Sequence, residues 1–437
     1  MKSNGQNRIA PEKSLVERDR KHLWHPLTQH KLQSDLLGIT RAEGAMIYDE
    51  AGKGYVDAIS SWYTCVYGHC HPYILQKVSD QMRQLDQVVF SGLTHEPAVR
   101  LSEELIKMLP GNQKKLFFSD NGSTTVEVAV KMALQYHFNR DSPRNVILAF
   151  EDGFHGDTFG AMSVSGLSVY NGPFRDFTLE VQRIPTPSTA NPSTILAELD
   201  QLIEKKRLAA FIYEPLIQGA AAMKMHHAEG LSILLRRLRE AGVLLIADEV
   251  MTGFGKTGSC FASEQVDEKP DIICLSKALT AGLLPMGITS CTQEIYDAFY
   301  SDDIAKGFFH GHTYTANPLS CTAALAALEL YRQPGIQDGI DFISKSHLEF
   351  ASQIAQRPSV ADVRCKGVVF AMDLSRQLPR YGAMRDKLYH HFLEKGVYLR
   401  PLGNTIYFLP PYIIEPEQLE RVYRAAESLL DELDKQS

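Results

Sequence analysis

Two short apolar runs in this chain each end in residues able to do chemistry. Val243 to Ala247 stops at Asp248 and Glu249, and Ile272 to Leu275 stops at Ser276 and Lys277. Runs of this length suit strands buried on both faces of a parallel sheet. If they are neighbouring strands pointing the same way, Asp248 and Lys277 emerge together at the carboxyl edge, where open α/β sheets bind ligands. An acid and an amine at one edge have a specific use. A lysine that carries pyridoxal phosphate as a Schiff base needs a carboxylate facing the pyridine nitrogen, which keeps that nitrogen protonated and able to absorb electrons. The plainer use of the same residues is a helix cap for the aspartate and a solvated amine for the lysine.

The stretch between them also imitates two nucleotide sites. Gly253, Gly255 and Gly258 have the spacing G-x-G-x-x-G after a strand. Asp248 and Glu249 stand between strand and glycines, where they would repel a pyrophosphate, and no helix pattern opens at Gly258. Gly255-Lys256-Thr257 resembles the end of a phosphate loop, but Val250 occupies the position that such a loop reserves for its first glycine. Cys65, His69, Cys70 and His71 are close in sequence without a second cluster at zinc spacing, so packing is the expected role and no metal is assigned.

Other candidates follow the ends of further runs. The segment 115–137 reads as strand, turn and helix, with Asn121, Gly122 and Ser123 at the turn and Thr124 and Glu127 spaced as a capping box. A helix start preceded by glycine and hydroxyls suits an anion. The strand 145–150 leads to Phe154 and His155, where an aromatic ring could stack on a flat cofactor or fill core. Another strand leads to Glu214. Trp62 and Tyr63 fall in a glycine-containing loop, Thr313 in a turn around Gly311, and Arg400 beside apolar strands, where a guanidinium suits capture of a carboxylate or a structural ion pair.

The elements that must position these residues alternate strand and helix from about 115 to 280, which predicts an α/β fold with a doubly wound, mostly parallel sheet. The spacing predicts helices over 74–85 and 98–109, a hairpin over 46–59 and a small-residue helix after Pro318. Beyond Arg332 the pattern becomes that of a smaller α+β unit. The expected division is residues 1–70 as an N-terminal segment and hairpin contributing to the small domain, 71–330 as the large domain, and 331–437 as the C-terminal small domain. Residues 1–22 are polar and expected to fray or to lie on a partner. A net charge of -7 with dispersed Lys and Arg argues against a nucleic-acid surface, and no run of about 18 apolar residues exists to span a membrane. Seven scattered cysteines and no visible signal peptide point to a reducing cytoplasm.

Taken in order, WHPLTQ, SSWYTCVYGHCHP, FHGDTFGAMSVSG, LLIADEVMTGFGKTG, LSKALTAG, HGHTYTANPLSC and RPLGNTIYFLPPYII resemble the class III, fold type I aminotransferases that depend on pyridoxal phosphate. The resemblance implies that Lys277 forms the Schiff base and Asp248 pairs with the pyridine nitrogen. It implies that Gly122 and Ser123 bind the phosphate, with Thr313 reaching it from the second subunit of a homodimer, and that Phe154 stacks on the ring. Trp62 and Arg400 would line the substrate site, Arg400 holding a carboxylate, with Gly311 and His312 nearby. Within the family the finer resemblance is to the branch that converts 8-amino-7-oxononanoate to 7,8-diaminononanoate in biotin biosynthesis. Leu27 and Phe154 depart from the aromatic residue and the tyrosine frequent there, which leaves the amino donor open between S-adenosylmethionine and lysine. A transaminase of ω-amino acids or diamines is the alternative within the class.

Overall fold

The structure, a computed structural model, describes residues 14–32, 36–166, 171–188, 192–376 and 383–435. Its largest sheet has seven strands, in the spatial order Gln113–Ser119, Gly287–Thr292, Ile272–Leu275, Leu244–Asp248, Leu208–Tyr213, Val146–Phe150 and Val181–Ile184. The four residues of Ile272–Leu275 and all of Val146–Phe150 and Leu208–Tyr213 are buried, as strands covered by helices on both faces must be. Each large aliphatic side chain so enclosed contributes about 1.5–3 kcal/mol. Leu244–Asp248 lies between parallel neighbours, with Ala247 opposite Tyr213 on one side and Asp248 opposite Cys274 on the other. The two apolar runs are therefore adjacent and point the same way.

Gly287–Thr292 is the one strand of this sheet that runs against its neighbours, and the alternating pattern did not reveal it. Its first residue explains how the helix Gly122–Asn139 sits on the sheet. A Cβ at Gly287 would fall 2.4 Å from the Asn121 carbonyl oxygen and 2.5 Å from Thr125 Cγ2. The hydroxyl of Thr289 donates to the Thr125 carbonyl at 2.8 Å, so the helix start is held down by direct contact with the strand. The helix begins one turn before the expected cap. Asn121 accepts from the Thr124 amide at 3.0 Å, and Thr124 Oγ1 accepts from the Asn121 amide at 3.1 Å, so the box is Asn121 with Thr124. Glu127 turns outward instead and accepts from the amides of Gly160 and Ala161.

The N-terminal hairpin is larger than the alternation shows, with strands Ile39–Glu43, Met46–Asp49 and Gly54–Asp57. Its last strand pairs in parallel with Val397–Tyr398, so the two ends of the chain share one sheet. A further antiparallel sheet holds Val360–Lys366, Val369–Leu374 and Thr405–Phe408. The expected helices are found as Pro72–Met82, Glu96–Met108 and Pro318–Tyr331. Residues 1–13 lie outside the described residues. Leu15–His22 is not frayed: Ser14 and Glu17 form a capping box, and the Leu15 amide donates to Glu50 at 2.7 Å. Among the described residues no helix is long and apolar enough to cross a membrane.

The seating of the helix Gly122–Asn139 is testable. Gly287→Ala forces its methyl group into backbone that cannot yield, and should destabilise the protein by about 1–3 kcal/mol. A urea denaturation midpoint equal to that of the unaltered chain would contradict this packing.

Candidate active site

The carboxyl ends of the central strands bring Asp248, His155, Glu214 and Lys277 into one buried cluster. Asp248 is 3% exposed and ends its strand with both oxygens engaged. Its Oδ1 accepts from the Val250 amide at 3.0 Å, and its Oδ2 accepts from His155 Nδ1 at 2.7 Å. His155 Nε2 is buried with no partner among the described residues. Glu214, fully enclosed, accepts from the amides of Phe154 at 3.0 Å and Gly219 at 2.9 Å. Lys277 follows its strand in a left-handed conformation, φ 46°, which costs a non-glycine residue about 1–2 kcal/mol and is held only because the fold imposes it. Its amine makes no hydrogen bond among the described residues and lies 5.9 Å from the centre of the Tyr63 ring. Burial lowers its pKa, against the charges of Asp248 and Glu214, so the neutral amine is favoured relative to a solvated lysine.

Gly122 and Ser123 occupy the first turn of their helix, where amides lack intrahelical acceptors and favour an anion. Ser123 Oγ accepts from the Asp157 amide at 3.2 Å. Gly156, at φ 131°, is required here, because a Cβ would lie 2.2 Å from Ser123 Oγ. The same loop carries Phe154, half-buried, so the Glu214 contact to its amide aligns ring and helix start together.

Four consecutive residues without glycine, Ser60, Ser61, Trp62 and Tyr63, form a left-handed turn with φ of 48°, 48°, 70° and 74°. At about 1–2 kcal/mol each, such a turn must be imposed by its surroundings. Asp57 supplies part of the restraint, accepting from the amides of Ile59 at 3.2 Å and Ser61 at 2.7 Å. Ser60 Oγ donates to the Leu409 carbonyl at 2.7 Å, and Tyr63 donates to the Tyr407 hydroxyl at 3.1 Å. Trp62 is thereby held with its ring 5.0 Å from the Arg400 guanidinium. Both line a cavity of about 570 Å³ whose walls include Leu27, Asp57, His69, Tyr398 and Tyr407. Leu27 itself has φ 51°. Tyr407, on the cavity wall, meets Tyr63, whose ring is the one 5.9 Å from the Lys277 amine.

Not all the expected residues converge within one chain. Gly311 and Thr313 are exposed, and the Thr313 carbonyl accepts from Gln87 at 2.9 Å. Among the described residues His312 bonds within its own turn, to Thr315 and Tyr314. Among the described residues none of the three shares a hydrogen bond with Lys277, Asp248, Gly122 or Ser123. The glycines at 253–258 form a packed turn, in which buried Lys256 donates to the Gly253 carbonyl at 3.0 Å. Burial, reinforced by the charge of Lys277, lowers the Lys256 pKa to about 7. His69 Nε2 lies 2.8 Å from Asp57 Oδ2. Among the described residues no group of three or more His, Cys, Asp or Glu is placed to hold a metal ion.

The profile of the family Aminotransferase class-III matches residues 28–430. The chain belongs to the class-III aminotransferases. It is 44% identical over 422 residues to an adenosylmethionine-8-amino-7-oxononanoate aminotransferase of Synechococcus elongatus, covering 94% of this chain and 99% of that one. The crystal structure of the enzyme of the same name from Methanocaldococcus jannaschii superposes with a TM-score of 0.88 at 33% identity, covering 95% of this chain and 98% of that one. An amine transaminase from an uncultivated Pseudomonas species, solved with pyridoxal phosphate bound, superposes at 0.87 with 29% identity, over 94% and 98% of the two chains. The fold is thus that of the fold type I aminotransferases, the class the sequence motifs resembled.

Two residues of this buried cluster were named from the sequence without a role: His155 and Glu214. Only the loop geometry shows that His155 turns back onto Asp248 and that Glu214 holds the Phe154 backbone. Glu214 also generates a pH prediction. Burial raises its pKa from the ordinary 4.5 to about 7; the charge of His155 and two amide donors oppose the shift, and the charge of Asp248 adds to it. Between these values the folded chain keeps a proton that the unfolded chain has released. The stability associated with Glu214 is therefore complete below pH 4.5 and lost as pH rises through about 7. Glu214→Gln removes that loss, so its stability relative to the unaltered chain should increase between roughly pH 5 and pH 8. Urea denaturation at both pH values measures it, and a constant or declining difference would refute the assignment.

Proposed function

We propose that this chain transfers the amino group of S-adenosylmethionine to 8-amino-7-oxononanoate, forming 7,8-diaminononanoate in biotin biosynthesis, with pyridoxal phosphate as cofactor. One observation carries the reading: the cavity holding Trp62 and Arg400 is walled by Tyr407, whose partner Tyr63 lies 5.9 Å from the Lys277 amine, in a chain whose relatives over nearly its whole length bear that activity's name. The residues present fit the cofactor. Among the described residues, an unbonded amine, a buried carboxylate, an unpartnered imidazole nitrogen and an anion-ready helix start face one region at the sheet edge.

When bound, pyridoxal phosphate supplies an electron-poor ring that makes the carbon beside the substrate amine acidic. Lys277 would hold it, Gly122 and Ser123 would bind its phosphate, and Phe154 would stack on its face. Asp248 would face its nitrogen, with His155 and the Val250 amide keeping the carboxylate oriented. With its pKa lowered, Lys277 Nζ takes the proton from the amine-bearing carbon of the donor. In the second half of the cycle it delivers a proton to the carbon that was the ketone of the acceptor. Arg400 binds the carboxylate of the oxononanoate, while Trp62 and Leu27 wall its hydrocarbon chain. Exposed Thr313, with Gly311 and His312, completes the site of a second copy in a homodimer. The seven unpaired cysteines support action in the cytoplasm.

Lys277→Ala should lower transamination by roughly 10²–10⁴-fold or more, and borohydride should then fix no pyridoxyl group on the chain. A reducible lysine adduct persisting in this variant would refute the role. Arg400→Ala should raise KM for the oxononanoate about tenfold or more, as loss of a charge-assisted hydrogen bond requires. Supplying oxononanoate with S-adenosylmethionine or lysine and quantifying diaminononanoate tests the reaction; turnover confined to short ω-amines would overturn it.

A further inference from the structure

We infer that Asp57 and His69 are a positioning pair, which holds the left-handed turn Ser60–Tyr63 and so sets Trp62 against Arg400 and Tyr63 against Lys277. Three observations converge. The turn contains no glycine or asparagine, the residues that adopt such backbone without outside help. Asp57, 1% exposed, is the carboxylate that meets it, taking the amides of Ile59 and Ser61 on its two oxygens. His69 then occupies the same Oδ2 that receives Ser61, at 2.8 Å, and is itself tethered to the hairpin, its amide donating to the Gly44 carbonyl at 2.7 Å.

The turn is thus gripped from two sides. Asp57 and His69 hold its N-terminal end to the hairpin, and Leu409 and Tyr407 hold Ser60 and Tyr63 to the far strand. Both members of the pair reach the cavity wall, yet neither shares a described contact with Lys277. Their effect on the reaction passes through Trp62 and Tyr63. Burial opposes a charge on His69, but the hydrogen bond to Asp57 outweighs it and raises the imidazole pKa to about 10. A purely structural ion pair would lower stability when broken without singling out the acceptor substrate.

The test uses the cofactor-loaded enzyme carrying Trp24→Phe. Trp24 is 90% exposed, and its replacement leaves Trp62 as the sole tryptophan. Asp57→Asn loses one of its two acceptor atoms. It should raise KM for 8-amino-7-oxononanoate about tenfold or more, with kcat changed less than about threefold. Trp62 should gain a fast component in its fluorescence anisotropy decay. His69→Ala should act in the same direction, whereas His69→Gln, which still offers Asp57 a donor, should restore both readouts. Unchanged KM and anisotropy in Asp57→Asn would overturn the inference. If Asp57→Asn does not fold, the two His69 variants decide, and equal values for Ala and Gln overturn it. The choice of acceptor rests on the function proposed above. Failure of the unaltered enzyme to use that acceptor sinks the function, while the anisotropy arm still tests the pair.

Discussion

A carboxylate at the end of a buried strand is the constraint on which the rest of this molecule depends. Asp248 sits where solvent does not reach, so its charge is tolerable only with hydrogen bonds on every side. The Val250 amide and His155 supply them, and that need fixes the loop after Val146–Phe150 as well as the one after Leu244–Asp248. Glu214, from the strand between, accepts from the Phe154 amide and ties the third loop to the first. Three neighbouring strand ends are thus held as one unit by two acids and an imidazole.

Onto this unit the fold lays residues in conformations they would not adopt alone. Lys277 and the turn Ser60–Tyr63 are left-handed without glycine, and both face the same region. Strain of this kind persists only where surrounding contacts over-determine the backbone. Here those contacts come from both ends of the chain, since the turn leans on Asp57 from the N-terminal hairpin and on Leu409 beyond the strand Thr405–Phe408. These two distant segments are brought together because the hairpin strand Gly54–Asp57 pairs with Val397–Tyr398, which precedes Thr405–Phe408 in the chain.

The two kinds of restraint divide the labour of the site. The acid cluster fixes the strand-end loops around Lys277 through buried, charge-bearing hydrogen bonds, where a low dielectric makes each charge count. The gripped turn shapes the space beyond it, placing an indole face by a guanidinium in an enclosure of about 570 Å³. One end of the site is therefore electrostatic and the other is a matter of shape and backbone geometry.

The sequence by itself determined the central strands, the presence of a helix after the strand Gln113–Ser119, and the acid and amine at the sheet edge. Apolar runs that stop abruptly at charged residues admit few other readings, and local spacing carries that information. It also argued against a dinucleotide site at the glycines 253–258, because Asp248 and Glu249 before them would repel a pyrophosphate. The tertiary structure alone decided which cap begins the helix, since Asn121 and Thr124 compete locally with Thr124 and Glu127, and the first turn of the helix Phe159–Val164 claims Glu127. It alone revealed the reversed strand Gly287–Thr292, the turn of His155 toward Asp248, and the pairing of Asp57 with His69. Each of these joins residues through loops or across strands, where the partner is set by how the chain returns on itself and leaves no periodic trace in the order of the residues.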